Sequence, residues 1–171
     1  MKMLKHLFVL FILLGITTTT SAREELLTKR NLKSLNKAIE KNFEKHSGLM
    51  HNNLDVAEDA EKLVVLEIKS KGIADPLGWG CIAKAKGRLD YFDFLVLYDN
   101  NKEVIHLEIL QYRSSHGYHI DSKRWLNNFK GLSVRDTIEK GQQVDGISGA
   151  TMSVDGLIRK MNEIAGVING L

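Results

Sequence analysis

Cysteine and proline are almost absent from this sequence of 171 residues, since each occurs once, as Cys81 and Pro76. A single cysteine excludes a disulfide within the chain, and because no CxxCH motif occurs, covalent attachment of c-type haem is also excluded. Cys81 lies in the apolar run GWGCIAKA, where a lone cysteine is most often a small buried hydrophobic residue rather than a redox or nucleophilic group. The fold must therefore rest on packing alone.

The sequence also lacks an apolar run as long as an ordinary membrane span, which needs about 20 residues. Residues 1–22 consist of the basic start MKMLKH, the apolar run LFVLFILLGI and the small residues TTTTSA. This layout predicts a secretory signal peptide that is cleaved after Ala22. The alternative is an uncleaved N-terminal membrane anchor, because the threonines could extend the buried stretch. In both cases we expect the rest of the chain in the periplasm or another extracytoplasmic compartment.

A strong excess of charge of one sign is absent as well. Without residues 1–22 the chain keeps 22 basic and 21 acidic residues, which is a net charge near +1. A nearly neutral chain without a basic block gives little electrostatic reason to expect nucleic acid as a partner. No internal repeat, low-complexity tract or linker divides residues 23–171, and their number suits a single domain with a modest core.

Hydrophobic periodicity predicts an α+β fold. Apolar residues spaced by 3, 4 and 4 predict an N-terminal helix over residues 24–46. The run LVVLEIK (63–69) fits either a strand or the end of a helix. The runs CIAKAKG, YFDFLVLYD and VIHLEILQY predict an antiparallel sheet meander, with His106 and Glu108 facing outward on its last strand. After a polar loop and a helical segment at WLNNF, the run SVRDTIEKG is compatible with one more short helix.

The last predicted element is a C-terminal helix that begins in the stretch VDGISGATMS (144–153). In one interpretation Thr151 or Ser153 caps this helix, and the glycines only form a turn. In the other, the glycines and the helix N-terminus form an anion site for a phosphate group. The residues alone leave both interpretations open. The apolar face that predicts the helix consists of Val154, Leu157, Ile158, Met161, Ile164, Ala165 and Ile168.

The sequence gives little support to metal binding or hydrolysis. His116, His119 and Asp121 are close enough in sequence to converge on a metal, but no cysteine or second histidine-rich strand completes a ligand set. The stretch GISGA has its serine one position late for the GxSxG elbow of a hydrolase. We therefore predict neither metal ligands nor catalytic residues.

The run from Asp145 to Thr151, DGISGAT, resembles the D-x-x-S-G-A-T signature of the FMN-binding domain family. This extracytoplasmic module occurs in the C subunit of the sodium-translocating NADH:quinone reductase, in the G subunit of the Rnf complex and in some periplasmic reductases. The similarity of layout extends over residues 78–168, from the strands to the C-terminal helix that the motif opens. The resemblance thus implies a flavin-attachment loop at the start of that helix.

The resemblance also implies roles for single residues. Thr151 would carry FMN covalently through a phosphoester bond, which a flavin transferase forms by taking the FMN moiety from FAD with a divalent metal. Asp145 would be the acidic residue that the transferase needs in its acceptor. Ser148, Gly149 and Ala150 would form a tight turn, and Gly146 belongs to the same cofactor-binding loop.

A departure from the respiratory subunits lies in the polar loop. Those subunits carry an E-T-P-G stretch near the flavin, whereas this chain has SSHG, which retains only Gly117. Gly117 is therefore a further candidate for cofactor binding. Tyr118, Trp79 and Trp125 are candidates to pack on the isoalloxazine ring, although such aromatic residues more often lie in a core.

The sequence thus predicts an extracytoplasmic electron-transfer flavoprotein with covalent FMN. Its partners would be the transferase and a redox donor and acceptor that the sequence does not identify, a membrane-bound one included. No catalytic acid–base pair is evident, which favours an electron carrier over a stand-alone enzyme. Two rival functions stay open: a secreted binding module without flavin, and a small flavin-dependent reductase with its own substrate.

Overall fold

The computed structural model describes residues 25–43, 49–54 and 63–171 of the chain. The predicted signal peptide (1–22) lies outside these residues. Within the described ranges, no helix combines the length and the apolar character needed to cross a membrane.

The described elements follow the predicted order of helix, sheet and helix. All neighbouring strands pair antiparallel, in the order β1-β2-β3-β4-β5. The predicted α+β fold and its meander are confirmed, and LVVLEIK is a strand. The elements are α1 (Lys29–Asn42), β1 (Leu49–Leu54), β2 (Leu63–Ser70), β3 (Gly78–Lys86), β4 (Tyr91–Asp99), β5 (Val104–Gln111), α2 (Lys123–Leu126) and α3 (Thr151–Asn169), with 3-10 turns at Tyr118–Asp121 and Asn127–Phe129.

Helices cover both faces of the sheet. On one face, Leu35 and Ile39 of α1 belong to a buried cluster with side chains of β2, β3 and β4. On the other face, the predicted apolar side of α3 is buried against alternate side chains of the same strands. Because β3 and β4 are buried on both faces, their sequences are nearly continuous apolar runs instead of alternating ones.

The structure differs from the sequence-based prediction at three short segments. Strand β1 has the sequence LMHNNL, lies at the edge of the sheet and pairs with β2. Its three apolar residues do not alternate with the polar ones, so it gives little periodic signal. The run SVRDTIEKG forms no helix; it contains turns and two isolated bridges, from Ser133 to Glu103 and from Lys140 to Val144. The predicted helix over residues 24–46 is interrupted: residues 25 and 26 are helical, 27 and 28 are not, and α1 begins at Lys29. The Thr28 side chain caps α1 by accepting a bond from the Asn31 N–H.

A β-bulge in β5 changes which side chains face each helix. Tyr98 pairs with Val104 and Leu97 with His106, so an extra residue of β5 lies between these two pairs. A second register shift lies between Asp93 and Phe94. His106 and Glu108 lie on the α1 side of the sheet, where the His106 side chain is only 22% exposed and its Nε2 lies 3.2 Å from Glu108 Oε2. This hydrogen bond lowers the pKa of Glu108. Both residues are thus partly buried instead of fully outward, and the Glu108 side chain is 44% exposed.

Helix α3 approaches β3 closely at Gly156. A side chain at this position would overlap the carbonyl oxygen of Lys86, so only glycine lets the two backbones meet. Lys86 is the last residue of β3. The contact therefore fixes the start of α3 over the end of that strand and brings Thr151 close to the turn between β3 and β4.

Candidate functional site

The loop before α3 is held at both of its ends. The indole N–H of Trp125 donates to the carbonyl oxygen of Asp145 over 2.8 Å. At the other end the Ala150 N–H donates to the Ile147 carbonyl over 3.0 Å, which closes a turn in which Gly149 has a φ of +78°. A positive φ at the third residue of a turn favours glycine. The turn that presents the helix therefore favours glycine at position 149.

Thr151 is the first helical residue of α3 and does not cap it. The residue at the cap position is Ala150, which has no capping side chain, so the capping interpretation of Thr151 and Ser153 is wrong. Thr151 is exposed, and among the described residues its hydroxyl has no hydrogen-bond partner. The first N–H groups of a helix lack partners inside it, and the dipole makes this end positive. The hydroxyl is thus presented where an anion is favoured.

A hydrogen-bonded chain ties the polar loop to the first turn of α3. The Tyr112 hydroxyl donates to the His116 carbonyl oxygen over 2.6 Å and lies 2.8 Å from the Ser153 hydroxyl. Since Tyr112 has one proton to donate, Ser153 is the donor in the second bond. Gly117 has a φ of +82°, and a methyl group there would lie 2.7 Å from the Tyr112 oxygen. Glycine is therefore favoured at position 117, where the loop 114–117 packs against the first turn of α3.

We expect Gly117→Ala to lower the free energy of unfolding by about 2 kcal/mol, about half from the positive φ and half from displacing the Tyr112 hydroxyl. Gly131→Ala is the matched control, because Gly131 has a similar φ of +80° but no atom within 4 Å of an added methyl group. Urea unfolding of the two variants measures the difference. Equal losses would contradict the tight contact between Gly117 and Tyr112.

An ion pair anchors the start of the same loop. Asp93 is buried, and its two carboxylate oxygens accept from the two terminal nitrogens of Arg113 over 3.1 and 2.7 Å. The hydrogen bonds to Asp93 raise the pKa of Arg113. Such a bidentate pair fixes the orientation of both side chains. Because Arg113 directly precedes the loop 114–117, the pair sets where the loop leaves the sheet.

A partly open cavity of about 300 Å³ lies beside Thr151. The volume lies at the lower end of the range for small-molecule sites. No carboxylate lines the cavity, whereas a guanidinium and the N-terminus of α3 do. The lining residues are Arg88, His116, Gly117, Gly149, Ala150, Thr151, Met152 and Ser153.

The lining suits a phosphorylated cofactor such as FMN. Thr151 offers an unpartnered hydroxyl at a helix N-terminus, where backbone N–H groups bind phosphate. Gly149 leaves open space, since a methyl group added there would have no atom within 4 Å. The residues present thus fit a phosphate ester at Thr151, with Arg88 and the start of α3 available to its charge.

The predicted site residues do not all line the same cavity. Gly117, Gly149, Ala150 and Thr151 line the cavity described above. Asp145 lines a second cavity of about 310 Å³, together with Trp125. Ser148 and Gly146 are exposed in the loop and line neither of these two cavities. Tyr118 is 58% exposed, and its ring centroid lies 4.1 Å from that of His119, outside the cavity lining.

The two tryptophans do not line the cavity at Thr151. The ammonium group of Lys102 lies 5.6 Å from the centre of the Trp79 ring and donates to the carbonyl oxygen of Asn169, the last residue of α3. Trp79 therefore lies near the C-terminal end of a helix that is about 27 Å long at 1.5 Å per residue. Trp125 is buried, with its ring against Phe129, and it holds the loop by the bond to Asp145.

Sequence reasoning missed three residues around the cavity, Arg88, Tyr112 and Met152, and considered Ser153 only as a helix cap. His116 was considered only as a metal ligand and as part of the altered loop. Two features of the sequence could have pointed to these residues. They are the polar turn GRLD, which contains Arg88, and the serine two residues after Thr151. Neither feature shows that its residue lies near Thr151, because these contacts depend on how α3 packs over β3.

By residue type, Cys81 and the described histidines are candidate reactive or metal-binding groups. In the part of the chain that the structure describes, no group of three or more His, Cys, Asp or Glu side chains could hold a metal ion. Cys81 is fully buried, and burial raises the pKa of its thiol. A buried thiol with a raised pKa has almost no reactive thiolate at neutral pH.

We therefore expect Cys81 to resist labelling by a thiol reagent such as DTNB in the folded protein at pH 8. In urea above the unfolding transition, one thiol per chain should react rapidly. The ratio of the two rates measures protection by burial. Rapid labelling without denaturant would contradict the central position of β3 between the two helical layers.

The fold and the site together define a class: an α+β domain that presents a hydroxyl and a helix N-terminus to a phosphorylated ligand. Residues 90–165 match the family model of the FMN-binding domain. The match confirms the resemblance seen in the sequence. It supports FMN as the cofactor and a role in electron transfer. A search of curated proteins found no match.

Proposed function

We propose that the protein is an extracytoplasmic electron carrier that holds FMN covalently on Thr151. The observation that carries the proposal is the exposed, unpartnered hydroxyl of Thr151 at the start of α3, inside the matched domain and beside the cavity. A rigid turn, a fixed helix and a cavity without carboxylates surround that hydroxyl. These features suit attachment of a phosphate ester better than they suit helix capping.

Attachment would be a phosphoryl transfer from FAD. A bond forms between Thr151 Oγ1 and the phosphorus on the flavin side of the FAD diphosphate. The bond from that phosphorus to the bridging oxygen breaks, and AMP leaves with the electron pair. The threonine proton passes to a base of the flavin transferase, since a hydroxyl is a weak nucleophile unaided. The transferase needs a divalent metal, and Asp145, exposed at the other end of the loop, is the proposed acidic recognition point.

The bound flavin would supply the redox chemistry, and the protein would supply attachment, orientation and electrostatics. The phosphodiester keeps one negative charge at the N-terminus of α3, where the helix dipole stabilises it by about 0.3 to 1 kcal/mol when exposed. Covalent attachment would also prevent loss of the cofactor outside the cytoplasm. Ser153 and Tyr112 hold the loop and helix together beside this position.

The partners of the carrier would be a redox donor and a redox acceptor, at least one of them able to reach the open side of the cavity. Met152 lines the cavity and is 55% exposed, so a partner could approach the flavin at this side. A stand-alone reductase is the other candidate. It predicts that the purified, flavin-loaded protein turns over a substrate rapidly without a partner protein, whereas a carrier is reduced and reoxidised only slowly.

The test of attachment is co-expression with a flavin transferase, followed by denaturing electrophoresis and intact mass measurement. The wild-type chain should keep flavin fluorescence in SDS and gain the mass of FMN less one water. Thr151→Val should lose both, because it removes the hydroxyl and keeps the shape. Thr151→Ser, which keeps the hydroxyl, should retain attachment. A wild-type chain without added mass, or a loaded valine variant with the same mass gain, would contradict the proposal.

Secretion is tested in the same preparation. We expect the mature chain to begin at Arg23 and to be found outside the cytoplasm, as the sequence of residues 1–22 predicts. The N-terminal peptide and the cell fraction are both measured by mass spectrometry of fractionated cells. A flavin-loaded chain recovered only from the cytoplasm, with Met1 retained, would contradict this part of the proposal.

A further inference from the structure

Arg88 is the only side chain with a permanent charge among the residues that line the cavity beside Thr151. It lies in the turn between β3 and β4, which the Gly87 N–H closes by donating to the Asp90 carbonyl oxygen over 2.8 Å. A methyl group at Gly87 would lie 3.1 Å from the Ser153 hydroxyl oxygen. The turn is therefore seated directly on the first turn of α3, and backbone contacts place Arg88 at the cavity.

The guanidinium of Arg88 is not used by the fold. Among the described residues it has no hydrogen bond and no ion pair. The nearest acid in sequence, Asp90, instead accepts a bond from the Tyr91 N–H over 2.7 Å. By contrast, the guanidinium of Arg113 is fully committed to Asp93 and its neighbours. Arg88 thus has its planar set of donors available to a ligand of the cavity.

We propose that Arg88 is the positioning residue for the phosphate of the FMN carried by Thr151. A guanidinium binds phosphate oxygens through two parallel hydrogen bonds, which gives both charge compensation and orientation. The N-terminus of α3, which lines the same cavity, favours the same anion. No carboxylate lines the cavity to compete for the guanidinium. This inference rests on the proposed attachment of FMN to Thr151.

Arg88 would act at two stages. During transfer it would hold the FAD phosphate next to Thr151 Oγ1 while negative charge develops on the phosphoryl oxygens. After transfer it would pair with the single negative charge of the phosphodiester. Loss of a hydrogen bond to a charged group corresponds to about a tenfold change or more in rate or affinity. The same arginine should therefore affect both the speed of loading and the environment of the bound phosphorus.

The experiment compares purified wild-type, Arg88→Gln and Arg88→Lys chains, each incubated with a flavin transferase, FAD and Mg²⁺. Initial rates of loading come from flavin fluorescence in denaturing gels. We expect the initial loading rate to fall about tenfold for Arg88→Gln. The fall should be smaller for Arg88→Lys, because lysine keeps the charge but lacks the planar pair of N–H donors. The matched control is Arg159→Gln, since Arg159 is an exposed arginine of α3 that lines a different groove. It should load at the wild-type rate.

The second measurement is the ³¹P NMR spectrum of the chains once they are fully loaded. The phosphodiester resonance should shift in Arg88→Gln and stay in place in Arg159→Gln, with equal melting temperatures showing intact folds. An unchanged loading rate would overturn the proposal for Arg88. A slower rate with an unchanged ³¹P resonance would also overturn it, because Arg88 would then act on the transferase. A wild-type chain that takes up no FMN would instead overturn the attachment to Thr151, and the role of Arg88 with it.

Discussion

Gly156→Ala should destabilise the protein by about 2 to 3 kcal/mol, although alanine is normally favoured over glycine in a helix. The added methyl group would overlap the carbonyl oxygen of Lys86, which is backbone of a central strand and cannot rotate away. Overpacking of this kind typically costs about 1 to 3 kcal/mol and sometimes more. The gain in helix propensity, about 1 kcal/mol, offsets only part of the cost. Chemical denaturation of purified protein measures the net change.

Gly166→Ala in the same helix is the control with the opposite expected sign. Gly166 is exposed, and an added methyl group would have no atom within 4 Å. This variant should therefore gain up to about 1 kcal/mol, from helix propensity alone. If both variants were stabilised, α3 could not lie on Lys86 as described, and the position of Thr151 over the end of β3 would lose its support.

Arg113→Met should cost about 2 to 3 kcal/mol because it leaves the Asp93 carboxylate buried without its partner. Breaking a buried ion pair from one side typically costs about 3 to 5 kcal/mol. The expected loss is smaller here because the Arg113 side chain is partly exposed, so water can reach the position that the guanidinium leaves. The same variant should also load FMN more slowly, because Arg113 fixes the start of the loop that lines the cavity.

The control for this prediction removes the charge from both partners. In the double variant Asp93→Asn with Arg113→Met, no carboxylate remains buried, so much of the lost stability should return. The comparison requires the same denaturant series for both single variants and the double variant. A double variant no more stable than Arg113→Met would show that the arginine stabilises the loop by packing and not by neutralising Asp93.

The fold was predictable where one physical signal dominated. The apolar face of α3 and the runs of β3 and β4 are strong because those elements are buried, and the structure confirms all three. Strand β1 was not predictable, since its polar and apolar residues do not alternate and it pairs along one edge of the sheet. The bulge in β5 was not predictable either, because a one-residue shift of pairing depends on the partner strand and not on the sequence of β5 itself.

The candidate site also contains residues that the sequence could identify and residues that only the fold brings together. The loop from Asp145 to Thr151 is contiguous, so its glycine turn and its hydroxyl could be identified from the motif. Arg88 lies more than sixty residues earlier in the chain, and it reaches the cavity because Gly87 packs against Ser153. The sequence prediction that Thr151 or Ser153 could be a cap failed for a related reason. Ser153 bonds to Tyr112, which only the folded sheet brings near it.

The most direct measurement of the central claim is fragmentation of the tryptic peptide that contains the motif. Cleavage after Lys140 and Arg159 releases residues 141–159, which include three hydroxyl side chains, those of Ser148, Thr151 and Ser153. In protein loaded by a flavin transferase, the account predicts that this peptide carries the mass of FMN less one water and that the fragments place it on Thr151. The mass on Ser148 or Ser153, or a flavin that leaves the chain on denaturation, would contradict it.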